Sequence, residues 1–341
     1  MRTAVLENGK LVLKDVPIPS PGYEEALVKL STSGICHSDV HLAKEHWFAG
    51  ASMPMGHEGI GIVDELGPGA EAFVQKGDRV ILGLGGAGGG YWCGACEYCL
   101  GGKPRLCKQS KPIFGTYGEY ISLWAKSLVK LPEEVSDSDV PLACGGLTAY
   151  SAVKKLLKFG VSPGKPVAIV GAAGGLGHYA VQIAKLFGYK TVGVDVGPEK
   201  IEFMKNQGAD YALDVSEALD FVKQKLDGVY ASIVFAPKIA GFELGLKLLR
   251  RAGVFVAVGL PAASEGPMSV TPMELMSRDP LIMGSAVGTV EEMRELVQLA
   301  AEGKVKTHIS KVTRLSEINQ ALDELEEGKY PGRAIIDDMT K

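Results

Sequence analysis

The sequence predicts an α/β-plus-β chain: a β-rich first half, then a doubly wound parallel sheet with helices on both faces. Three observations carry this. Residues 1 to about 145 are rich in glycine, β-branched residues and short apolar segments. From about 146, short apolar strands alternate with helical stretches of ten or more residues. The glycine run "GAAGGLG" stands between one such strand and one such helix.

In the first half, "TAVLENGKLVLKDV", "EALVKLSTSGI", "GIGIVDELG", "GDRVIL" and "GEYISLWAKSLVKL" read as strands and turns. In the second, "PVAIVGAAGG" reads as strand then turn, "LGHYAVQIAKLFG" as helix and "KTVGVDV" as strand. "PEKIEFMKNQG" is a helix with Pro198 suited to its first turn. Further strands fall at "YALD", "YASIVFA", "GVFVAVG" and "PLIMGS", giving six in this half. The C-terminal end supplies helices at "EEMRELVQLAAEGKVK" and "SEINQALDELEEG", then a closing strand in "YPGRAIID".

At 341 residues the chain can bury two separate cores, and 46% hydrophobic with 22% charged residues is ordinary for a globular protein. A formal charge of −4 offers no general field for nucleic acid or an anionic membrane. The N-terminus lacks a signal-peptide pattern, and no apolar run approaches the roughly 20 residues of a membrane span. A soluble cytoplasmic protein is expected, with no nucleic-acid or membrane partner.

Four of the six cysteines, Cys93, Cys96, Cys99 and Cys107, lie in "CGACEYCLGGKPRLC". In a reducing compartment this spacing favours metal over disulfides or incidental thiols. All four vertices of a zinc tetrahedron would be protein, so such a site is structural. Lys103, Arg105, Lys108 and Lys111 lie near enough in sequence to offset its charge. The other two cysteines are Cys36 in "GICHSDVH" and Cys144 in "LACGGLTAY", with His57 and Glu58 in "GHEGIG" between them. Each cysteine alone reads as a small core residue. Cys36, His57 and Cys144 together give zinc two thiolates, one imidazole and an open position, the stoichiometry of a catalytic site.

Gly174, Gly175 and Gly177 would let the backbone approach a pyrophosphate at a helix N-terminus. Asp195 ends the next strand eighteen residues past Gly177. It would accept hydrogen bonds from the adenosine ribose and repel a 2′-phosphate, which favours NAD over NADP. The plain alternative is a nucleotide-free turn with an exposed aspartate.

"CHSDVH", "GHEGIG", "GDRV", the cysteine loop, "GAAGGLG" and "GVD" occur in one order. In that order the whole chain resembles a zinc-dependent alcohol dehydrogenase of the medium-chain dehydrogenase/reductase superfamily. "CEYC", "GAAGGLG" and Trp47 resemble the yeast-like and bacterial branch, usually homotetramers. The resemblance implies a GroES-like catalytic domain at 1–145, a Rossmann NAD-binding domain at 146–286, and a C-terminal return at 287–341. It implies two zinc ions per subunit, with Cys36, His57 and Cys144 as catalytic ligands and Glu58 beside them. Asp39 would hold His57 through its other ring nitrogen, Ser38 would bond the alcohol oxygen, and His41 would end a proton relay. His37 would face the coenzyme pyrophosphate, Arg333 would lie near it, and Lys200 near the adenosine ribose. Thr148, Leu176, Val258, Leu260, Ser285 and Val287 match positions lining the nicotinamide. His46, His178 and His308 match no position with a role.

The implied reaction is reversible hydride transfer between a primary or secondary alcohol and NAD, giving an aldehyde or ketone. Zinc lowers the pKa of the alcohol, and the proton leaves through Ser38, the nicotinamide ribose and His41. Polyol, threonine and cinnamyl alcohol dehydrogenases share the scaffold, and a non-catalytic zinc-binding relative is a further alternative. One departure bears on the substrate. The relatives place a bulky aromatic four or five residues before the first cysteine of the loop, where this chain has Gly89 and Gly88. Trp47 matches the opposite wall. A wider pocket follows, unless Trp92 folds back to fill it.

Overall fold

The structure, a computed structural model, describes residues 1–47, 50–82 and 89–340. Gly88 therefore lies outside the described residues. The chain starts with β1 (Arg2–Glu7), β2 (Lys10–Asp15) and the long β3 (Glu25–Ile35). Helix α1 (His37–Ala43), β4 (Met53–Pro54), β5 (Gly59–Leu66) and β6 (Arg79–Leu82) follow, then α2 (Glu97–Leu100), β7 (Tyr120–Trp124) and β8 (Leu128–Lys130). After α3 (Gly145–Lys158) come β9 (Pro166–Val170), α4 (Gly177–Leu186), β10 (Lys190–Asp195), α5 (Pro198–Asn206) and β11 (Tyr211–Asp214). Next are α6 (Val215–Leu226), β12 (Val229–Val234), α7 (Ile239–Leu248), β13 (Leu249–Ala257), α8 (Pro272–Arg278) and β14 (Leu281–Gly284). The last elements are α9 (Val290–Ala301), β15 (Ile309–Arg314), α10 (Ile318–Glu326) and β16 (Arg333–Asp338).

Two compact units result: Met1–Leu147 with Val287–Lys341, and Thr148–Ala286. In the first, β15, β16, β3, β5, β6 and β8 pair in that order, with β7 also on β3, and β2, β1 and β4 make a small sheet. Alternation of apolar and polar residues along these strands puts Val28, Leu30, Val63, Val80, Leu82 and Leu123 into one core. A second core joins Leu6, Ile35, Met55 and Tyr117 to Ile318, Leu322 and Ile336 from the chain's end. The link is β16, whose Ala334 pairs with Ile35 of β3.

In the second unit the strand order is β11, β10, β9, β12, β13, β14, all parallel. Its central strands are continuous apolar runs because helices cover both faces; Val167, Ala168 and Ile169 are wholly buried. The order reverses beside β9, and such a reversal leaves a crevice at the carboxyl ends of the strands. Strand β15 was not expected from the sequence. Among the described residues it is an edge strand paired only to β16, and "ISKVTR" exposes Ser310, Val312 and Arg314, so it lacks the apolar run of an inner strand.

Candidate active site

Three backbone junctions of the first unit converge on one buried cluster. Cys36 caps α1 directly after β3, His57 and Glu58 immediately precede β5, and Cys144 precedes α3. The ligand atoms of Cys36, His57, Glu58 and Cys144 all lie within 4.8 Å of one another. Asp39, fully buried on the first turn of α1, organises them. Its Oδ1 lies 3.2 Å from His57 Nδ1, and its Oδ2 accepts from the Cys36 N–H at 3.1 Å and the Tyr117 hydroxyl at 2.8 Å. His57 is thereby committed through Nδ1, leaving Nε2 for a metal.

Glu58 is fully buried, and its Oε2 is paired with Arg333 Nη2. Gly34 of β3 makes room, because a Cβ there would sit 1.9 Å from Glu58 Oε2. Glu58 Oε1 has no hydrogen-bond partner among the described residues. A buried carboxylate oxygen without a donor, beside two thiols and an imidazole, suits a cation. The donor set fits zinc. Burial pushes the Glu58 carboxyl up to about 7, with Arg333 pulling the other way. Burial opposes charge on His57, but Asp39 and Cys36 outweigh it and hold its pKa well above the usual range. Cys36 is held well below the ordinary thiol value by a hydrogen bond from Cys144, which itself is raised. Val287 packs on Cys36 and Cys144 with a φ of 43°, a strained conformation for a β-branched residue.

The cysteine loop forms a second cluster, Cys93, Cys96, Cys99 and Cys107. Its Sγ separations are 3.5 Å (Cys93 to Cys107), 3.6 Å (Cys96 to Cys99) and 4.0 Å (Cys93 to Cys99). None is a disulfide. A tetrahedron with Zn–S bonds of about 2.3 Å has edges of about 3.8 Å, which these distances match. Backbone N–H groups of Cys93, Cys96 and Gln109 donate to the sulfurs at 3.3, 3.3 and 3.4 Å, which favours thiolates. Lys108 pairs with Glu97 at the rim, 3.2 Å away.

In the second unit the residues expected at the coenzyme gather at strand carboxyl ends. The glycine turn follows β9, Asp195 closes β10, Val258 and Leu260 follow β13, and Ser285 follows β14. Gly177 is fixed by packing, since its Cβ would meet the Gly171 carbonyl at 2.1 Å. Gly174 meets nothing closer than 3.3 Å, and Leu176 caps α4 between them. Asp195 accepts from the Ala173 N–H at 2.9 Å, and its Oδ1 lies 3.3 Å from Lys200 Nζ. Oδ1 also accepts from the Val196 N–H at 2.9 Å, so Oδ2 is the oxygen that keeps capacity for a further donor. Thr148 is buried on α3, and Ser285 accepts from Lys155 Nζ at 2.6 Å.

Comparison with known proteins gives the same picture. Residues 22–133 match the alcohol dehydrogenase GroES-like domain and residues 175–302 the zinc-binding dehydrogenase domain. An alcohol dehydrogenase of Geobacillus stearothermophilus is 40% identical over 98% of this chain and 99% of its own. The chain belongs to the zinc-binding alcohol dehydrogenases. The crystal structure of the alcohol dehydrogenase from Aeropyrum pernix superposes with a TM-score of 0.88 at 32% identity, covering 98% of this chain and 99% of that one. The acetophenone reductase of Geotrichum candidum, solved with NAD, gives 0.86 at 27% identity, covering 99% and 97%.

Within this dehydrogenase Ser38 and His37 are half-buried on the first turn of α1, and His41 is buried one turn on. Trp47 stacks on His41, ring centroids 4.6 Å apart. Trp92 and Tyr91 both pack on Trp124, at 4.7 and 4.9 Å, while Gly89 is buried. Arg333 is engaged with Glu58 inside the metal cluster's surroundings. Three contacts had no sequence signal: Tyr117 on Asp39, Arg333 on Glu58, and His46 on His41 at 2.9 Å. The first two join residues far apart in the chain, and the third depends on how α1 ends.

Proposed function

We propose that this chain is an NAD-dependent alcohol dehydrogenase with one structural and one catalytic zinc per subunit. The observation that carries it is the buried set of Cys36, His57 and Cys144, oriented by Asp39, on a chain that also presents a glycine turn and Asp195 for a dinucleotide. When bound, zinc supplies a Lewis acid that lowers an alcohol's pKa, and NAD supplies the hydride acceptor. Cys36, His57 and Cys144 would hold the catalytic ion, with the Glu58 carboxylate as a fourth ligand when no substrate occupies the site. Cys93, Cys96, Cys99 and Cys107 would hold the structural one. Ser38 bonds the alcohol oxygen, and Ser38 and His41 carry its proton outward. The resemblance assigns Asp195 and Lys200 to the adenosine ribose, Gly174, Gly175 and Gly177 to the pyrophosphate, and Thr148, Leu176, Val258, Leu260 and Ser285 to the nicotinamide.

Met1–Leu147 with Val287–Lys341 is then the catalytic domain and Thr148–Ala286 the coenzyme domain. A homotetramer is supported by the edge strand β14, which among the described residues pairs only with β13 and exposes Leu281 and Ile282, and by the exposed Met273 and Met276 of α8. A cytoplasmic location is supported by two cysteine clusters spaced for metal, which suit a reducing compartment. Among the described residues no helix is long and apolar enough to cross a membrane. With Trp92 committed to Trp124, glycine at 89 supports a wider pocket, so benzylic, longer or secondary alcohols should rival ethanol in kcat/KM.

The test is a panel of alcohols with NAD and NADP, run beside zinc analysis. NAD-dependent oxidation with two zinc ions per chain is expected. No turnover with any alcohol would leave a non-catalytic relative, and higher kcat/KM with NADP would overturn the role of Asp195.

A further inference from the structure

The second unit carries a basic cleft at the amino ends of its strands. Its volume is about 770 Å³, and Lys223, Lys247, Arg250, Arg251 and Arg278 line it with one carboxylate, Asp227. Val229 and Leu249 open β12 and β13 here, whereas the glycine turn and Asp195 stand at the far ends of β9 and β10. Strands of this length span about 17–20 Å, so the cleft is separate from the coenzyme crevice. The whole chain is formally −4, and this cluster runs against that charge. Among the described residues none of the five cations forms an ion pair. Glu243 and Glu274 line an adjoining cavity that shares Lys247 and Arg278. Glu274 Oε2 is occupied there, accepting from the Thr271 N–H and hydroxyl at 2.9 Å each.

Two of the cations are held before any ligand arrives. Val229 pairs with Leu249 and Ala231 with Val254, so four residues of β13, Arg250 to Gly253, stand against Tyr230 alone. Ala252 takes a φ of 56° in this bulge, and bulges of this kind re-aim side chains. The Arg250 guanidinium lies over the Tyr230 ring, 4.3 Å from its centroid, and Lys165 Nζ lies 4.8 Å from the same ring. Arg278 Nη2 donates to the Leu249 carbonyl, which leaves its other N–H groups as donors. Arg250 and Arg278 are half-buried, while Lys223, Lys247 and Arg251 are exposed. Guanidinium groups fixed in this way suit bidentate contact with phosphate oxygens, and little ordering is left to the ligand.

We propose that this cleft binds a small molecule carrying two phosphate groups. Five cations against one carboxylate leave four positive charges to be met. A phosphate monoester carries about −1.5 to −2 at neutral pH, so two such groups match the cleft and one leaves it in excess. Arg250 and Arg278 take the phosphate oxygens, and Lys223, Lys247 and Arg251 supply charge around them. A nucleic-acid backbone calls for cations spread as a stripe along one face, whereas these five close around a single cleft. The inference stands beside the dehydrogenase reading and does not rest on it.

Calorimetric titration of the zinc-loaded chain, with NAD in excess to fill the glycine turn, tests this. Fructose 1,6-bisphosphate and 2,3-bisphosphoglycerate serve as probes with different phosphate spacing. Binding at one site per chain is expected, weakening as salt rises, with inorganic phosphate much weaker. Arg251→Gln should weaken the probes about tenfold, the loss of a charge-assisted hydrogen bond. Asp227→Asn should tighten them several-fold, because the opposing charge is gone, and asparagine tolerates the φ of 52° at this position. A merely structural role would not give the two variants opposite signs. No saturable binding of either probe at millimolar concentration overturns the proposal, as does binding that Arg251→Gln leaves unchanged. Inorganic phosphate binding as tightly as the probes overturns the two-phosphate ligand. Binding that NAD abolishes would place the probes at the glycine turn and overturn it as well. A short DNA duplex that outcompetes both probes would make the cleft a nucleic-acid surface instead. Failure of NAD to bind would overturn the coenzyme reading alone, since Arg251→Gln and Asp227→Asn still report on this cleft.

Discussion

Asp39 bonds three groups at once, and each bond uses a carboxylate oxygen as acceptor. Asn at this position can accept on one side only, so its amide N–H groups would face either the His57 N–H or the Cys36 N–H and the Tyr117 hydroxyl. Asp39→Asn should therefore weaken zinc at the Cys36, His57 and Cys144 site by about 10–100-fold. Competition with a chromophoric chelator measures this, and unchanged affinity would show that His57 needs no such anchor. Arg333 is a different case, a buried cation matched to a buried carboxylate. Arg333→Met should cost about 3–5 kcal/mol of stability, because Glu58 keeps its desolvation cost without its partner. Adding Glu58→Gln should recover part of that loss, and additive effects in denaturant titrations would count against coupling. The sequence displayed the cysteines, His57 and Asp195 through spacing and strand ends. It did not display Tyr117, Arg333 or His46, since contacts across 78 and 275 residues leave no local periodicity. For His46 the missing signal was glycine: Glu45 occupies the left-handed position that normally marks such a helix end.

The elements most legible in the sequence were those whose ends carry their own chemistry. Pro198 opens α5 as expected. Helix α6, to which the sequence reading gave no element, starts at a capping box in which Asp214 accepts from the Ser216 N–H at 3.0 Å. Asp214 also accepts from the Gly197 N–H at 2.9 Å. These backbone donors, Gly197 first, hold the Asp214 carboxyl down at about 2. A folded-state pKa below the unfolded value of about 3.9 means the group stabilises the fold above that value and loses its contribution as pH falls through 2. Asp214→Asn should thus melt below the parent at pH 7, and the gap in thermal midpoint should close between about pH 4 and pH 2. A gap that persists at the acidic end would mean that shape, not charge, holds the cap. Strand β15 shows the opposite limit: edge strands alternate with solvent, and their charges mask the pattern that inner strands such as β9 display.

At the scale of the molecule, alternation along 166–284 was enough to anticipate a parallel sheet, because every strand after β9 except β12, which lies beside β9, joins the strand before it by a local crossover. The pairing of β16 with β3 joins Ala334 to Ile35, and nothing near either residue announces it; only the family resemblance implied a C-terminal return. That pairing makes the chain's end part of the first unit, where both cysteine clusters also lie. The second unit has a separate apolar core of Val170, Val192, Val194, Phe255 and Leu248, and among its described residues no comparable metal cluster. Metal removal should therefore act on one unit. The four-cysteine loop has little apolar burial of its own, with Leu100 and Leu106 exposed at 77% and 42%, so zinc supplies most of its order. A strong chelator should release two zinc ions per chain. Hydrogen exchange should then rise across 89–112 and around Cys36, His57 and Cys144, while β9, β10 and β12 keep their protection. Cys99→Ser should reproduce the loop's share of this, and Cys144→Ser should abolish turnover with the loop still protected. Uniform loss of protection in both units on chelation would show that the metal stabilises the molecule as one cooperative body.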